Sequence, residues 1–501
     1  MKITQSDLDL FSAASHDVNP MHMDADYARK TAFGEPVVFG ILGALAALGH
    51  TRDRNGECLA GVLFTFHSPL LRDIEYQTVV TEKSSEKTTV DVFDAGRMVL
   101  TAVFTFQPSE QESEEWPAER PGVHRSEPSE WTEAVLAGGI VVAGNYTPAL
   151  AKLRALIDRW GLRRKGVSPL QIAILVWSSY LIGMELPGKT ALFSRLRLTF
   201  ETPAETPSFP LVYRARTLVL DPRFQLLKIA LDVEAGGLTL ASGQAASLIR
   251  PESPVSSADS LRALLPNEPR LLGQTALVIG GSRGFGAALS LGLALQGARV
   301  LLAYQHSAVE AEAVRSQAGE APGKIELVQG DATDITWLQT LCSQIQEDGG
   351  GLDMLICNAC PPIRALAFAP EALGRFQEFI TQSVALVSAP AGAFIDLLAE
   401  RKGWNVVISS EFVRTVPAEW PHYVAAKYAI EGMTRAIQAQ QPSVQSLIVR
   451  PPRLLTDQTN TPMGRMDAMP VEAAAAAVIR RFSEPAPDGV ETMERFDPLI
   501  R

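Results

Sequence analysis

Residues 275–286 read Thr275-Ala276-Leu277-Val278-Ile279-Gly280-Gly281-Ser282-Arg283-Gly284-Phe285-Gly286, and this stretch decides the fold of the C-terminal half. An apolar run of strand length ends in a glycine turn, and the pattern from Ala287 to Leu295 that follows is helical. Strand, glycine turn and helix in that order are the context in which a glycine fingerprint means a dinucleotide pyrophosphate at a helix N-terminus. Gly280 permits the tight turn, Gly284 lets backbone approach the pyrophosphate and Gly286 allows close helix packing. Ser282, Arg283 and Phe285 lie in the same turn and join them as cofactor-binding candidates. The expectation is an α/β, doubly wound parallel sheet over residues 271–501.

Working outward, the second strand, Arg299-Val300-Leu301-Leu302-Ala303-Tyr304-Gln305-His306, ends without an acid. NAD-selective sites place a carboxylate there to bind the ribose hydroxyls, so Arg283 is free to meet a 2′-phosphate and the cofactor is expected to be NADPH. Tyr304, and Asp331 after Leu327-Val328-Gln329-Gly330, fall near the adenine. Asn358-Ala359 follows the strand Met354-Leu355-Ile356. The apolar run Asn405-Val406-Val407-Ile408-Ser409 reads as a buried parallel strand and puts Ser410 at the carboxyl edge of the sheet, where active sites of open α/β sheets lie. Thirteen positions on, Tyr423 and Lys427 are four apart on one helix face, where an ammonium lowers the Tyr pKa and makes the phenol a proton donor.

The fingerprint, Asn358-Ala359 and the Ser410…Tyr423…Lys427 set together resemble the short-chain dehydrogenase/reductase family, and within it the β-ketoacyl-thioester reductases, over roughly residues 270 to 485. The resemblance implies that Tyr423 protonates the carbonyl oxygen as hydride arrives, that Lys427 holds the cofactor ribose, that Ser410 orients the carbonyl and that Thr456 contacts the cofactor. Several positions depart from the family pattern: Ile279 for a Thr, Cys360 for the last Gly of NNAG, and Pro451-Pro452 for Pro-Gly. Ser383 stands where a fourth catalytic residue, an Asn, is usual, and a serine there can hold a water of the proton relay. Cys357-Asn358-Ala359-Cys360 is formally CxxC, but no second ligand pair completes a tetrahedral zinc site, so no metal is expected.

The N-terminal half opens on Asp17-Val18-Asn19-Pro20-Met21-His22-Met23-Asp24. Pro20 breaks helical spacing, so the turn itself must bring Asp17 and His22 together as a general acid/base pair. The nearly all-apolar run Val37 to Leu48 reads as a helix buried on every side, followed by strands Leu59 to Phe66, Gln77 to Lys83, Thr88 to Phe93 and Met98 to Phe106. DxNPxHxD with the downstream Phe33-Gly34-Glu35-Pro36-Val37 and Gly40 resembles the MaoC-like hydratases and dehydratases of (R)-3-hydroxyacyl thioesters, which have the hot-dog fold. That resemblance implies Asp17 and His22 as the catalytic pair, Asn19 as the residue that orients them and the Gly40 amide as the group that polarises the thioester carbonyl. Phe39 and Leu48 replace a usual His and Ser, making the pocket more apolar.

A second copy of this theme follows. The apolar helix Leu170 to Met184 precedes the strand Ala191 to Phe200, and Phe200-Glu201-Thr202-Pro203 matches Phe66-His67-Ser68-Pro69 at an offset of 200 − 66 = 134 residues. Strands Leu211 to Leu220, Gln225 to Val233 and Leu238 to Ile249 complete it. Without DxNPxH, this copy is degenerate, its helix shaping an acyl tunnel while the first copy supplies the chemistry. The expected order is therefore an α+β hot dog at 1–110, a linker at 111–131, a degenerate hot dog at 132–250, a linker at 251–270 and the Rossmann domain at 271–501.

With 501 residues, 46% of them hydrophobic and 20% charged, the chain has the composition of a globular protein of several domains. A net charge of −11 argues against nucleic acid and would repel an acidic acyl carrier protein, unless a local basic patch such as Arg159 to Lys165 overrides it. Four cysteines and the absence of an apolar leader in the first residues fit a reduced cytoplasm, with no membrane partner. A ketone reductase and a hydro-lyase on one chain suggest consecutive steps: 3-oxoacyl to (3R)-hydroxyacyl to 2-enoyl thioester, on acyl carrier protein or CoA. No ketosynthase or carrier sequence is recognised, so the chain would act in trans beside a separate synthase, in fatty-acid-like or polyketide assembly, possibly as a homodimer. Rival readings are a degradative hydratase/dehydrogenase, a reductase with acyl-binding hot dogs, and a non-enzymatic scaffold.

Overall fold

In the computed structural model, which describes residues 1–109, 122, 124–201, 209–485 and 489–496, the chain falls into two units, Met1–Pro251 and Glu252–Arg501, each with its own core. The first unit is one antiparallel sheet of β1 (Glu57–Phe66), β2 (Gln77–Ser84), β3 (Lys87–Asp94), β4 (Arg97–Pro108), β5 (Val141–Tyr146), β6 (Ala191–Phe200), β7 (Leu211–Asp221), β8 (Leu226–Ala235) and β9 (Leu238–Ile249). Its order is β2-β3-β4-β1-β6-β9-β8-β7-β5. Two apolar helices, Gly40–Gly49 and Pro169–Tyr180, are buried in its core. This is a double hot dog.

The repeat is visible in the register. β1 and β6 are each ten residues long and pair antiparallel at the middle of the sheet, with Leu63 opposite Arg197. Because 197 − 63 = 134, that pair relates each strand to its own counterpart, so a pseudo-two-fold axis passes through it and the chain forms internally what a dimer of single hot dogs forms between copies. The first helix begins later than the apolar run suggests. Val37 and Val38 instead donate their amides to Met21 O and Leu70 O, which ties the helix entry to the Asp17–His22 turn. The ninth strand, β5, is unforeseen: it is short, has an edge position and carries Gly144, so it lacks an apolar alternation to signal it. Of the linker 111–131, residues 111–121 and 123 lie outside the described residues, as do Thr202 and Pro203.

The second unit is a parallel sheet of β10 (Thr275–Ile279), β11 (Arg299–Tyr304), β12 (Lys324–Gln329), β13 (Met354–Cys357), β14 (Trp404–Ile408), β15 (Gln445–Val449) and β16 (Val490–Met493), in the order β12-β11-β10-β13-β14-β15-β16. Strand order reverses between β10 and β13, the position where open α/β sheets bind ligands. Gly284–Leu295 and Val471–Arg481 cover one face, while Leu373–Arg401 and Pro421–Gln440 cover the other. Leu373–Arg401 belongs to the one helical stretch among the described residues long and apolar enough to cross a membrane, yet its Val387, Phe394, Leu397 and Leu398 pack into the core with Leu355 and Val407. Within 251–270, Ala258–Leu264 is a helix whose Leu261 and Leu265 join the core of this unit.

Candidate active sites

In the first unit a cleft is lined by Asp17, Asn19, His22 and Gly40, by Phe66 to Leu70, and from the second half by Ser179, Gly183 and Ala191 to Ser194. Asn19 caps the short helix Pro20–Met23, its side chain accepting from the Met21 amide. The same side chain donates to Gly183 O at 2.7 Å and Gly188 O at 3.1 Å, so the turn is pinned to the degenerate half. Asp17 is buried, its carboxylate accepting from the Asn19 amide at 3.1 Å and the Ser179 hydroxyl at 2.8 Å. Burial pushes its pKa up to about 7, the two hydrogen bonds offsetting only part of that cost. His22 Nδ1 lies 2.7 Å from Val37 O, and since a carbonyl only accepts, Nδ1 carries the hydrogen and Nε2 keeps its lone pair. Burial, with Phe39 packed on the ring at 4.0 Å, lowers the imidazole to about 4. Burial thus favours the uncharged form of each group, a carboxylic acid and a neutral imidazole lining one cleft.

Gly40 is the first residue of its helix, where amides have no intrahelical acceptor, and it lines the cleft. Ser179 is the functional side chain that the sequence reading missed. Its signal is Ser178-Ser179, two hydroxyls interrupting an otherwise apolar helix. Gly183 fits so closely that a Cβ there would meet Asp17 Oδ1 at 2.6 Å. Gly183→Ala is therefore expected to cost about 1–3 kcal/mol of stability and to displace the carboxyl, measured as a lower melting temperature together with a loss at this site alone.

In the second unit the glycine turn lies at the carboxyl end of β10. Gly280 has φ +76° with Ala359 packed on it, and a Cβ at Gly286 would meet Gly280 O at 2.1 Å, so the helix sits directly on the turn. Asn358 Nδ2 donates to Gly280 O at 3.0 Å and Thr456 packs against Gly284. Ser282 and Phe285 belong to the turn and helix start, and Tyr304 ends β11. Asp331 accepts from Thr333 and from Gln305 Nε2 at 3.1 Å. A side-chain-free cradle at the switch point fits a dinucleotide pyrophosphate. Arg283, expected to meet a 2′-phosphate, has its Nη1 donate to Asp457 Oδ2 at 3.0 Å, in the loop carrying Thr456.

Ser410, just past β14, accepts from the Phe412 amide at 3.2 Å, and its hydroxyl lies close enough to the Tyr423 phenol to pull the phenol pKa down. Lys427 Nζ donates to Ile408 O at 2.8 Å and lies 5.3 Å from the Tyr423 ring centroid. The three thus converge. The expected lowering of the Tyr423 pKa is not found: burial raises the phenol above its ordinary value, with Cys360 adding to the rise, and Lys427 and Ser410 offset only part of it. Ser383 is buried on Leu373–Arg401, its hydroxyl without a partner among the described residues. Beneath the site, Glu431 accepts from Ser409 Oγ at 2.6 Å and from Arg450 Nε and Nη2 at 2.7 and 2.6 Å, locking the Tyr423 helix to the ends of β14 and β15. Among the described residues no group of three or more His, Cys, Asp or Glu is placed to hold a metal.

The model of the short chain dehydrogenase family matches residues 274–463, and that of the MaoC like domain matches residues 1–87. The chain carries a MaoC-like domain and a short-chain dehydrogenase domain. Curated relatives include a short-chain dehydrogenase/reductase from Cladobotryum sp., 30% identical over 34% of this chain and 64% of its own. A hydroxynaphthalene reductase from Aspergillus fumigatus is 31% identical over 34% of this chain and 61% of its own, so the chain spans less than two thirds of either relative's length. A D-beta-hydroxybutyrate dehydrogenase from Cupriavidus necator is 27% identical over 42% of this chain and 83% of its own. A solved short-chain dehydrogenase/reductase from Serratia marcescens is 26% identical over 45% of this chain and 97% of its own, with a TM-score of 0.40.

Proposed function

We propose that the chain is a bifunctional β-ketoreductase/dehydratase that converts 3-oxoacyl thioesters, on acyl carrier protein or CoA, through (3R)-hydroxyacyl to 2-enoyl thioesters with NADPH, beside a separate synthase. The observation that carries this is that Asp17 and His22 line one mainly apolar cleft, on the same chain as the converged Ser410, Tyr423 and Lys427. Support also comes from the D-beta-hydroxybutyrate dehydrogenase likeness, since that relative's named substrate is a 3-hydroxy acid.

A nicotinamide held at the glycine turn would supply hydride to the ketone carbon. Ser410 and Tyr423 bind the carbonyl oxygen and Tyr423 gives it a proton as the oxygen gains charge, while Lys427 beside the phenol favours the phenolate left behind. In the cleft, His22 Nε2 takes the C2 proton of the 3-hydroxyacyl thioester and Asp17 protonates the departing hydroxyl, so that water leaves. The Gly40 amide is oriented to stabilise the enolate oxygen that develops between these events.

Mass spectrometry after incubation of the protein with a short 3-oxoacyl thioester and NADPH or NADH tests the reading: enoyl product supports both activities, and hydroxy product alone limits the chain to reduction. The second reading, a degradative enoyl-CoA hydratase/3-hydroxyacyl dehydrogenase, is favoured by the Arg283–Asp457 pair, which competes with a 2′-phosphate. Asp457→Asn should therefore raise the NADPH:NADH ratio of kcat/KM about tenfold, the worth of one charge-assisted hydrogen bond. An unchanged ratio would remove Arg283 from cofactor choice.

A further inference from the structure

The basic run that stands out in the sequence is neutralised in the structure: Arg159 pairs with Asp7, Arg163 with Asp158, and Arg164 and Lys165 with Asp53. Other cations are gathered by the fold alone. Arg195 and Arg197 on β6, Arg214 and Arg216 on β7 and Lys228 on β8 are exposed, and none has an ion pair among the described residues. Strand alternation puts them on one side, because Leu196, Leu198, Tyr213, Ala215, Leu227 and Ile229 between them are buried on the other.

The register lays these side chains out in rows. Arg195, Ala246 and Lys228 form one row, Arg197, Gln244, Ala230 and Arg216 the next, and Thr199, Ser242, Asp232 and Arg214 the third. Four strands about 4.8 Å apart, and three rows of alternate residues, make a patch about 15 Å by 13 Å. Its floor is of small residues, Ala246, Ala230 and Ser242, and Asp232 is the acid within these rows. On the same face the half carrying Asp17 and His22 shows the uncharged Leu63, Thr65, Val103 and Thr105, and on β3 one cation, Lys87, with one acid, Asp91. The positive charge therefore belongs to the half that lacks catalytic residues. It also begins at the cleft, since Ala191 to Ser194 line it and Arg195 is the next residue of the same strand.

We propose that this outer face of β6, β8 and β7 docks an acidic carrier protein, which presents its acyl thioester to the Asp17–His22 cleft. The proposal rests on the thioester reading given above. With a net charge of −11, the chain repels an acidic partner over most approaches, so an unpaired cationic patch beside the cleft both attracts the partner and fixes where it lands. Four guanidiniums on a flat floor suit carboxylates on a convex partner, because each offers two parallel donors.

The test is a quadruple variant, Arg195→Glu, Arg197→Glu, Arg214→Glu and Arg216→Glu, in the full chain. Dehydration is followed with (3R)-hydroxybutyryl on an acidic acyl carrier protein and, separately, on N-acetylcysteamine. The KM for the carrier-bound substrate is expected to rise at least tenfold and to lose its salt dependence, while kinetics with the small thioester stay within twofold and report that the fold is intact. Fluorescence anisotropy of labelled carrier should show the same loss of binding whether or not either thioester turns over. Failure of the wild type to dehydrate the small thioester would count against the dehydratase reading, and carrier binding then decides the patch. Carrier affinity unchanged in the variant would overturn the proposal, as would loss of binding to anionic phosphatidylglycerol vesicles in place of carrier.

Discussion

Replacing Tyr423 by phenylalanine is expected to lower reduction of a 3-oxoacyl thioester by about three orders of magnitude, the worth of a positioned general acid, while dehydration of added 3-hydroxyacyl thioester is unchanged. The substitution removes one oxygen and keeps the ring, so its packing with Phe412 at 5.9 Å and Phe379 at 6.3 Å is retained. Lys427 keeps its bond to Ile408 O. The sign of the pH dependence follows from burial, which raises the phenol: across neutral pH it is protonated and able to donate, so reduction holds there. Oxidation of the 3-hydroxy product needs the phenolate and climbs as pH rises toward the raised value. Rates of both directions from pH 6 to 10, with the melting temperature as the fold control, check this. Loss of dehydration together with reduction would refute two separate sites.

The sequence and the structure agree where chemistry needs particular residues at short range. Gly280, Gly284, Gly286, Ser410, Tyr423 and Lys427 are legible because each is set by the backbone it sits on or by helical spacing. The 134-residue repeat was legible for a similar reason: equal strands with equal apolar alternation recur, and the Leu63–Arg197 register makes the symmetry explicit. What was hidden depends on partners distant in sequence. Ser179 reaches Asp17 across 162 residues and Arg283 reaches Asp457 across 174. No local pattern encodes either contact. The Tyr423 pKa was misjudged because spacing reveals the neighbouring ammonium but not the desolvation that opposes it. The basic run misled in the same way, since its counter-ions Asp7 and Asp53 come from other elements.

In the cleft, Asp17→Asn and His22→Ala are each expected to abolish dehydration to within about a thousandth of the wild-type rate and to make 3-hydroxy product accumulate when 3-oxoacyl thioester and NADPH are supplied. Asp17 is protonated and His22 neutral between about pH 4 and about pH 7, because burial raises the carboxyl to about 7 and lowers the imidazole to about 4. Dehydration needs that distribution, so wild-type kcat/KM should be flat between these values and fall about tenfold per pH unit above 7, as Asp17 ionises. Stability follows the same linkage. Asp17 has a folded pKa above its unfolded value, so the folded state binds the extra proton and stability from this group falls as pH rises from about 4 to about 7. His22 runs the other way, its contribution growing as pH rises from about 4 to 6.5. Between pH 6 and 8 Asp17 is the group of the two that lowers stability as pH rises, and Asp17→Asn should therefore show a smaller drop in melting temperature over that range than the wild type. An Asn variant that keeps dehydrating would move the acid elsewhere in the cleft. A variant that loses activity yet retains the full wild-type drop would mean that Asp17 is ionised in the folded state.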